Sequence, residues 1–350
     1  MKRQSNLFEK ICDIQNLHDA CYKAARHKRY SLEYLCFREK LEEKLEKIRQ
    51  DLLSKNYKLN QYRQFKISDP KERIISAAPF ADRVIHHAII NVLEPIFEKQ
   101  FIFHTYACRK GKGTHAAARH AFKMAKAARY FLKLDVRKYF DSVNHAVLKR
   151  QLCRIIKDSP CLELLFSVID GYSTVEGCGL PIGNLTSQFF ANLYLSPLDH
   201  FVIEKLKVKG YVRYMDDIVI FADSMNKLKS DFLEVRKFCQ EYLVLFLKVP
   251  IFGKTSVGLP FLGWRITGRK VFLLHKTWKR MQCAIKRIIK DFYTLRISEE
   301  EASSRICCVY SCRRICRTHE VSCFLLLQIE PSPDWSGCVA RPRKRAGAKA

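Results

Sequence analysis

The chain has 350 residues, 48% of them apolar and 12% aromatic, enough to bury more than one core and too apolar for a disordered polyelectrolyte. Lys and Arg number 63 against 35 Asp and Glu, and the formal charge of +28 makes a polyanion, above all nucleic acid, the first partner to consider. The apolar runs, such as Tyr242–Leu247 and Phe324–Leu327, fall far short of a membrane span, and Met1–Lys10 has charge without an apolar stretch, so neither a spanning segment nor a signal peptide is expected. Residues 1–60 read as helices, with Leu35, Leu41, Leu45, Ile48 and Leu52 at helical spacing across Leu32–Leu53. Asp69-Pro70 marks a turn, a basic mixed segment follows to Ala81, and Asp82–Phe97 is again helical. The loop Arg109-Lys-Gly-Lys-Gly-Thr114 lacks the spacing of a Walker A motif and leads into a helix over His115–Ala128. Tyr130–Val136 predicts a short strand containing an acid, and Ser142–Ile156 the helix after it. Leu206–Tyr214 and Ile218–Phe221 predict two strands around Met215-Asp216-Asp217, a hairpin signal. Asp231–Phe246 reads as helix, Gly258–Ile266 and Val271–Leu274 as strands, and Thr277–Leu295 as helix. Helices mixed with short strands that end in acids predict an α+β fold and not a doubly wound sheet.

Asp135, Asp216 and Asp217 are the residues that can carry chemistry. If their strands are neighbours, three carboxylates converge at one sheet edge. Hard divalent cations take oxygen ligands, and Mg²⁺ combines one or two carboxylates with waters and substrate phosphates. Two such ions can activate an attacking oxygen and stabilise a leaving one, which is the chemistry of phosphoryl transfer. Taken alone, Asp-Asp is ordinary turn composition. Two apolar strands flanking the pair, in so basic a chain, argue for more. Asp141 is read as the N-cap of the next helix and left outside the metal set. His86-His87 stand at i, i+1 on a helix and point different ways, so they are not read as a metal pair.

Tyr214-Met-Asp-Asp217 resembles the YxDD box of reverse transcriptases, and Phe131-Leu-Lys-Leu-Asp-Val-Arg-Lys-Tyr-Phe-Asp-Ser142 resembles their preceding acidic motif. Between them, Gly179-Leu-Pro-Ile-Gly-Asn-Leu-Thr-Ser-Gln188 stands where most of that family has QGxxxSP. The IGNxxSQ form followed by Ala191-Asn-Leu-Tyr-Leu195 is similar to the enzymes of diversity-generating retroelements. Lys71-Glu-Arg73 and Asp82-Arg83 resemble fingers segments, and Phe261-Leu262-Gly263-Trp264 resembles a primer grip; together the motifs cover roughly residues 10–295 in the expected order.

The resemblance implies a right-hand polymerase fold: an N-terminal helical segment (1–60), helical fingers (61–128), an antiparallel-sheet palm (129–275), the start of a helical thumb (276–302) and an atypical tail (303–350). It implies that Asp135, Asp216 and Asp217, helped by the Val136 carbonyl, hold two Mg²⁺ ions, with Mn²⁺ as a substitute. Lys71 and Arg73 would meet the incoming triphosphate, and Phe140 would exclude a ribose 2′-OH. Gly183 would allow close approach to the nascent pair, Ile182 and Gln188 replace the usual Gln and Pro beside it, and Lys248 is a candidate general acid toward pyrophosphate, with Lys254 competing for the role. The Arg109–Thr114 loop is a candidate for holding template phosphates. The implied activity is error-prone RNA-directed DNA synthesis in mutagenic retrohoming, with template RNA, a cDNA/RNA duplex, dNTPs and a small basic accessory variability protein as partners, in a bacterial or phage-encoded cytoplasmic setting. A group II intron or retron enzyme, a catalytically dead RNA-binding relative and a metal-dependent nuclease are the alternatives.

The tail departs from this pattern. Cys307, Cys308, Cys312, Cys316, Cys323 and Cys338 crowd there without a C-x₂-C pair, so zinc is not expected. Earlier cysteines are scattered, as buried thiols are. With the basic run Arg341-Pro-Arg-Lys-Arg345, the texture suggests a frameshifted or truncated thumb.

Overall fold

The N-terminal third is a helical layer built around one apolar helix. In the computed structural model, which describes residues 3–26, 28–68 and 72–311, α1 (Phe8–Cys12), α2 (Ile14–Ala24), α3 (Leu32–Glu39) and α4 (Leu41–Leu53) precede a two-stranded hairpin, β1 (Arg63–Ile67) and β2 (Arg73–Ala77). The helix expected across Leu32–Leu53 is broken at Lys40, whose backbone sits at φ −126°, ψ 50°. On a continuous helix Phe37 and Leu45 would lie about 80° apart; the break lets both be buried. Phe37 meets Phe80 edge-on, with ring centroids 4.9 Å apart. Phe80 opens α5 (Phe80–Glu98), which buries Val84, Ile85, Ala88, Ile89, Leu93 and Phe97 against α2 and α10. Each large apolar side chain buried this way contributes about 1.5–3 kcal/mol over exposure. Asp82, 1% exposed, accepts hydrogen bonds from Tyr57 Oη (2.6 Å), Asn60 N (2.9 Å) and Asn60 Nδ2 (3.0 Å), so it fixes the chain that enters β1.

Next come α6 (Thr114–Ala127), β3 (Tyr130–Leu134), α7 (Tyr139–Ser142), α8 (His145–Ile155), α9 (Ser159–Asp170), α10 (Leu185–Tyr194) and α11 (Ser196–His200), which runs into a π-helical turn at Phe201–Lys205. The strand β4 (Gly210–Tyr214), β5 (Asp217–Ala222), α12 (Met225–Tyr242) and β6 (Ile251–Lys254) complete the sheet. Its order is β4-β5-β3-β6, antiparallel throughout. Successive residues Ile218, Val219, Ile220 and Phe221 of β5 are all buried, so the strand is covered on both faces. The cap of α8 is Asn144, whose Oδ1 accepts from Val147 N at 3.0 Å; Asp141 lies inside α7 instead of capping α8.

The chain divides into two compact units, Met1–Val257 and Gly258–Ala350. In the second, β7 (Leu259–Phe261), β8 (Trp264–Ile266) and β9 (Val271–Leu273) form an antiparallel meander, followed by α13 (His275–Tyr293) and α14 (Glu299–Ser311), which pack together. Helix therefore continues to Ser311, beyond the point at which the sequence departs from the thumb pattern. The expected tail features from Cys312 onward, including the basic run, lie outside the described residues. Among the described residues no helix is long and apolar enough to cross a membrane.

Candidate active site

Two strands and one tight turn bring the three acids together. Tyr214 pairs with Asp217, leaving Met215-Asp216 as a two-residue loop, and Met215 accepts a left-handed φ of 55° to close it. Leu134 pairs with Ile218, so the next residues outward, Asp135 and Asp217, stand side by side at the sheet edge. On the other flank the β3–β6 ladder passes from Lys133 with Ile251 to Val136 with Leu247. Three steps on one strand thus face four on the other, and the extra residue lies in a bulge at Lys248–Pro250. Pro250 has no N–H for the ladder. The bulge aims Lys248 back at Asp135: its N donates to the Asp135 carbonyl at 2.8 Å, and its Nζ lies 2.7 Å from Asp135 Oδ2. Arg137 N donates to Phe246 O at 2.8 Å. These two bonds flank Val136 and Leu247 as a non-hydrogen-bonded pair, so the Val136 carbonyl turns away from that flank, toward the β5 side.

The cluster carries its own counterions. Lys133 Nζ lies 3.1 Å from Asp217 Oδ1, and Lys248 holds Asp135. Asp135 Oδ1 is buried with no hydrogen-bond partner. Burial, reinforced by Asp135 and Asp217, pushes the Asp216 carboxyl up to about 6. An orphaned carboxylate oxygen and an acid crowded by two others are what a divalent cation relieves, so the donor set fits oxygen-seeking metal ions. Among the described residues, no His, Cys, Asp and Glu side chains are already closed around a single point.

Arg213 supplies the rigid base of the turn. Fully buried, it donates Nε to Asp199 Oδ1 (2.6 Å), Nη2 to Asp199 Oδ2 (2.5 Å), Nη1 to Asn192 Oδ1 (2.9 Å) and Nη1 to the Met215 carbonyl (3.1 Å). Tyr211 Oη donates to the same Asp199 at 2.7 Å. Sequence reasoning missed Arg213, Asp199 and Asn192. It also missed Lys133, although Lys133 and Asp135 at i, i+2 share one face of a strand, a signal that was available.

Phe140, Ile182, Gly183 and Gln188 gather around the start of α10. Leu180 N donates to the Phe140 carbonyl (2.8 Å), Gly179 N to Val143 O (2.8 Å) and His145 N to Gly177 O (2.9 Å), which zips the two motifs together. Tyr139 Oη, beside Phe140, donates to the Ala191 carbonyl. Ser76 N, in β2, donates to the Ile182 carbonyl at 2.9 Å. Gly183 has φ +117°, and a Cβ there would stand 2.8 Å from Ile75 Cγ2, so the close passage of β2 requires glycine. Gln188 is exposed, its Oε1 3.5 Å from Cys108 Sγ. Arg73 begins β2 and is exposed; Lys71 lies outside the described residues.

Three expectations change. Lys254 pairs with Tyr130, at the far end of β3 from Asp135, so Lys248 is the lysine at the acids. The Arg109–Thr114 cations are already engaged: Arg109 by Glu98 (2.9 Å) and the Ile102 carbonyl (2.7 Å), Lys110 by Glu94 (2.9 Å), and Lys112 by the Phe103 carbonyl (3.0 Å). In the second unit, Phe261 and Trp264 are 1% and 4% exposed. Of that motif, only the type I′ turn residues Leu262 (φ 49°) and Gly263 (φ 90°) reach the surface.

Comparison with known proteins agrees with this geometry. The profile of the reverse transcriptase (RNA-dependent DNA polymerase) family matches residues 65–250. The group II intron-encoded protein LtrA of Lactococcus lactis subsp. cremoris is 30% identical over 179 residues, covering 48% of this chain and 29% of that protein. Protein YkfC of Escherichia coli is 24% identical over 280 residues, covering 65% and 72%. The chain thus spans less than a third of the length of its intron-encoded relative. Apo telomerase from Candida tropicalis has the same fold at a TM-score of 0.51 and 14% identity, over 72% of this chain and 57% of that one. The α+β architecture is that of a right-hand polymerase, and with the profile spanning β3, β4 and β5 of the palm sheet and its three acids, the chain belongs to the reverse transcriptase family.

Proposed function

We propose that the chain is an RNA-directed DNA polymerase that adds deoxynucleotides to a primer 3′-OH. The observation that carries this reading is the convergence of Asp135, Asp216 and Asp217 at one sheet edge, within a very basic chain. Those carboxylates, with the Val136 carbonyl, would hold two Mg²⁺ ions, for which Mn²⁺ can substitute. When bound, such ions acidify an attacking hydroxyl and neutralise charge on the leaving phosphates. The protein's own part is positioning and proton supply. Arg73, with Lys71, binds the triphosphate as fixed charge. Phe140 presents a flat edge against a 2′-OH, and Gly183 lets the backbone approach the new pair. Lys248, whose Nζ reaches Asp135 at 2.7 Å, is the candidate donor to the departing pyrophosphate oxygen. The surplus of cations supplies salt-sensitive affinity for template RNA and duplex.

Within this activity we favour the diversity-generating type. Ile182, in place of Gln, removes a polar check beside the incoming base and relaxes base selection, and Gln188 stands in place of the usual Pro. A small basic accessory protein belongs to this reading. A group II intron enzyme is the second reading, supported by the similarity to LtrA.

Primer extension on a defined RNA template, with every product sequenced, tests both. Extension lost in the double variant Asp216→Ala, Asp217→Ala, with errors concentrated opposite template adenines, is the expected result. Accurate extension would favour the intron reading. No extension by the unaltered chain, with or without the accessory protein, would overturn the polymerase assignment.

A further inference from the structure

A cavity of about 360 Å³ opens where the end of α6, the loop before β4, the end of β5 and the first turns of α12 meet. It is remote from the acids. Tyr130 pairs with Ala222 at one end of the β3–β5 ladder, and Asp135 and Asp217 lie just past the other, where Leu134 pairs with Ile218. Five residues of strand, about 17 Å, separate Ala222 from Asp217. Met124, Val208 and Phe221 give the cavity apolar walls. Gly210 pairs with Phe221, and a Cβ on it would stand 2.8 Å from Phe221 Cβ and 3.5 Å from Met124 Sδ, so both side chains close over bare backbone.

One buried charge interrupts this apolar lining. Asp231 is 1% exposed; Lys227 Nζ reaches its Oδ1 at 2.7 Å, while Oδ2 has no hydrogen-bond partner among the described residues. A buried carboxylate oxygen in this state is unfavourable, and a ligand that donates to it removes the penalty. The mouth is cationic. Lys207, Lys209 and Lys227 are exposed there, and the other acid on the lining, Asp223, accepts from Arg129 N at 3.3 Å through Oδ1. The positive end of the 18-residue α12 adds to these charges.

The ligand this calls for has a flat apolar body, N–H groups along one edge and an anionic tail. An organic cation would be repelled by three lysines. Among nucleobases, guanine sets one acceptor, O6, beside two adjacent donors, N1–H and the 2-amino group. These match the Lys227 ammonium and the Asp231 carboxylate in turn. Adenine and cytosine carry a ring acceptor next to their amino group, and that acceptor would face the carboxylate. A phosphate attached to the base would meet the lysines of the mouth.

We infer that the Asp231 cavity binds a guanine base with a phosphate attached, either as a free nucleotide or as an unpaired residue of an RNA. The inference goes beyond the polymerase reading and does not rest on it, because none of the three acids lines the cavity.

The test titrates the full chain with GMP, IMP and AMP by isothermal calorimetry, in a chelating buffer so that no metal-bound nucleotide forms at the acids. GMP should bind; IMP, which lacks the 2-amino group, should bind at least about tenfold more weakly, and AMP more weakly still. Asp231→Asn places an N–H₂ where an acceptor stood. It should lose GMP and gain xanthosine monophosphate, whose C2 oxygen accepts where guanine donates, an exchange that a merely structural aspartate would not produce. The exposed pair Lys207→Gln, Lys209→Gln should weaken GMP several-fold, leave guanosine unaffected and keep the melting curve unchanged, which separates binding from folding. An RNA hairpin with one bulged G distinguishes the sources. Displacement of that hairpin by GMP, with weaker binding when the bulge is inosine, assigns the site to an RNA residue; GMP binding untouched by the hairpin assigns it to the free nucleotide. Equal affinity for GMP and AMP, guanine selectivity that survives Asp231→Asn, or no binding of either GMP or the hairpin would overturn the proposal. An unaltered GMP affinity in the lysine pair would overturn the phosphate contact. Failure of the polymerase reading would show separately, as absent primer extension by the unaltered chain.

Discussion

Asp216 occupies the crowded corner of the acid cluster, and its titration has a definite sign. Its folded pKa of about 6 lies above the ordinary 3.8, first through burial and then through Asp135 and Asp217. Between about pH 4 and 6 the folded chain keeps a proton that the unfolded chain has released, so this group's contribution to stability falls as pH rises through that window. Asp216→Asn should therefore raise stability at pH 7 in a chelating buffer, by about 3 kcal/mol at most, and abolish extension. The gain should vanish near pH 4. Thermal melts at the two pH values check it, and equal gains at both would remove burial of the charge as the cause. The acid itself is legible in the sequence because a charged pair between two apolar strands contradicts their pattern. The lysines that pair with the neighbouring acids, Lys133 with Asp217 and Lys248 with Asp135, are less so: Lys248 needs the bulge to aim it, and a bulge leaves no periodic trace.

Among the elements, the turn between β4 and β5 depends on a side chain hidden inside β4. Arg213→Met alone would leave Asp199, which has no exposed surface, buried without its cation, and should cost about 3–5 kcal/mol. Adding Asp199→Leu should recover a large part of that stability. It should not recover extension, because the Met215 carbonyl still lacks its donor. Urea denaturation together with primer extension separates these outcomes, and full recovery of activity in the double variant would count against a positioning role. Arg213 is not legible because Asp199 lies on another element with no shared period. The hairpin β1–β2 is hidden for a related reason: every residue of β1 is exposed, so no alternation marks it. At α12 the expected start at Asp231 is late because Ser224 caps the helix, and the expected end at Phe246 overshoots because Val244 adopts φ 53°.

At the level of the whole molecule, ordered motifs carry the palm, since Asp135, the Gly183 segment and Asp216-Asp217 each meet through hydrogen-bonded strands or loops. The fingers and the second unit are read less closely, because exposed cations such as those of Arg109–Thr114 look alike in sequence whether they serve a ligand or a neighbouring carbonyl. The tethered ammonium groups of Lys133 and Lys248 have one more consequence. A protein that brings its own positive charge to its acids completes its fold ahead of any ion, unlike small domains that collapse around their metal. Exhaustive chelation should silence such a chain while leaving it folded, its melting temperature lowered only by the lost binding of the ion, so that adding the ion back acts as a starting switch on an assembled machine.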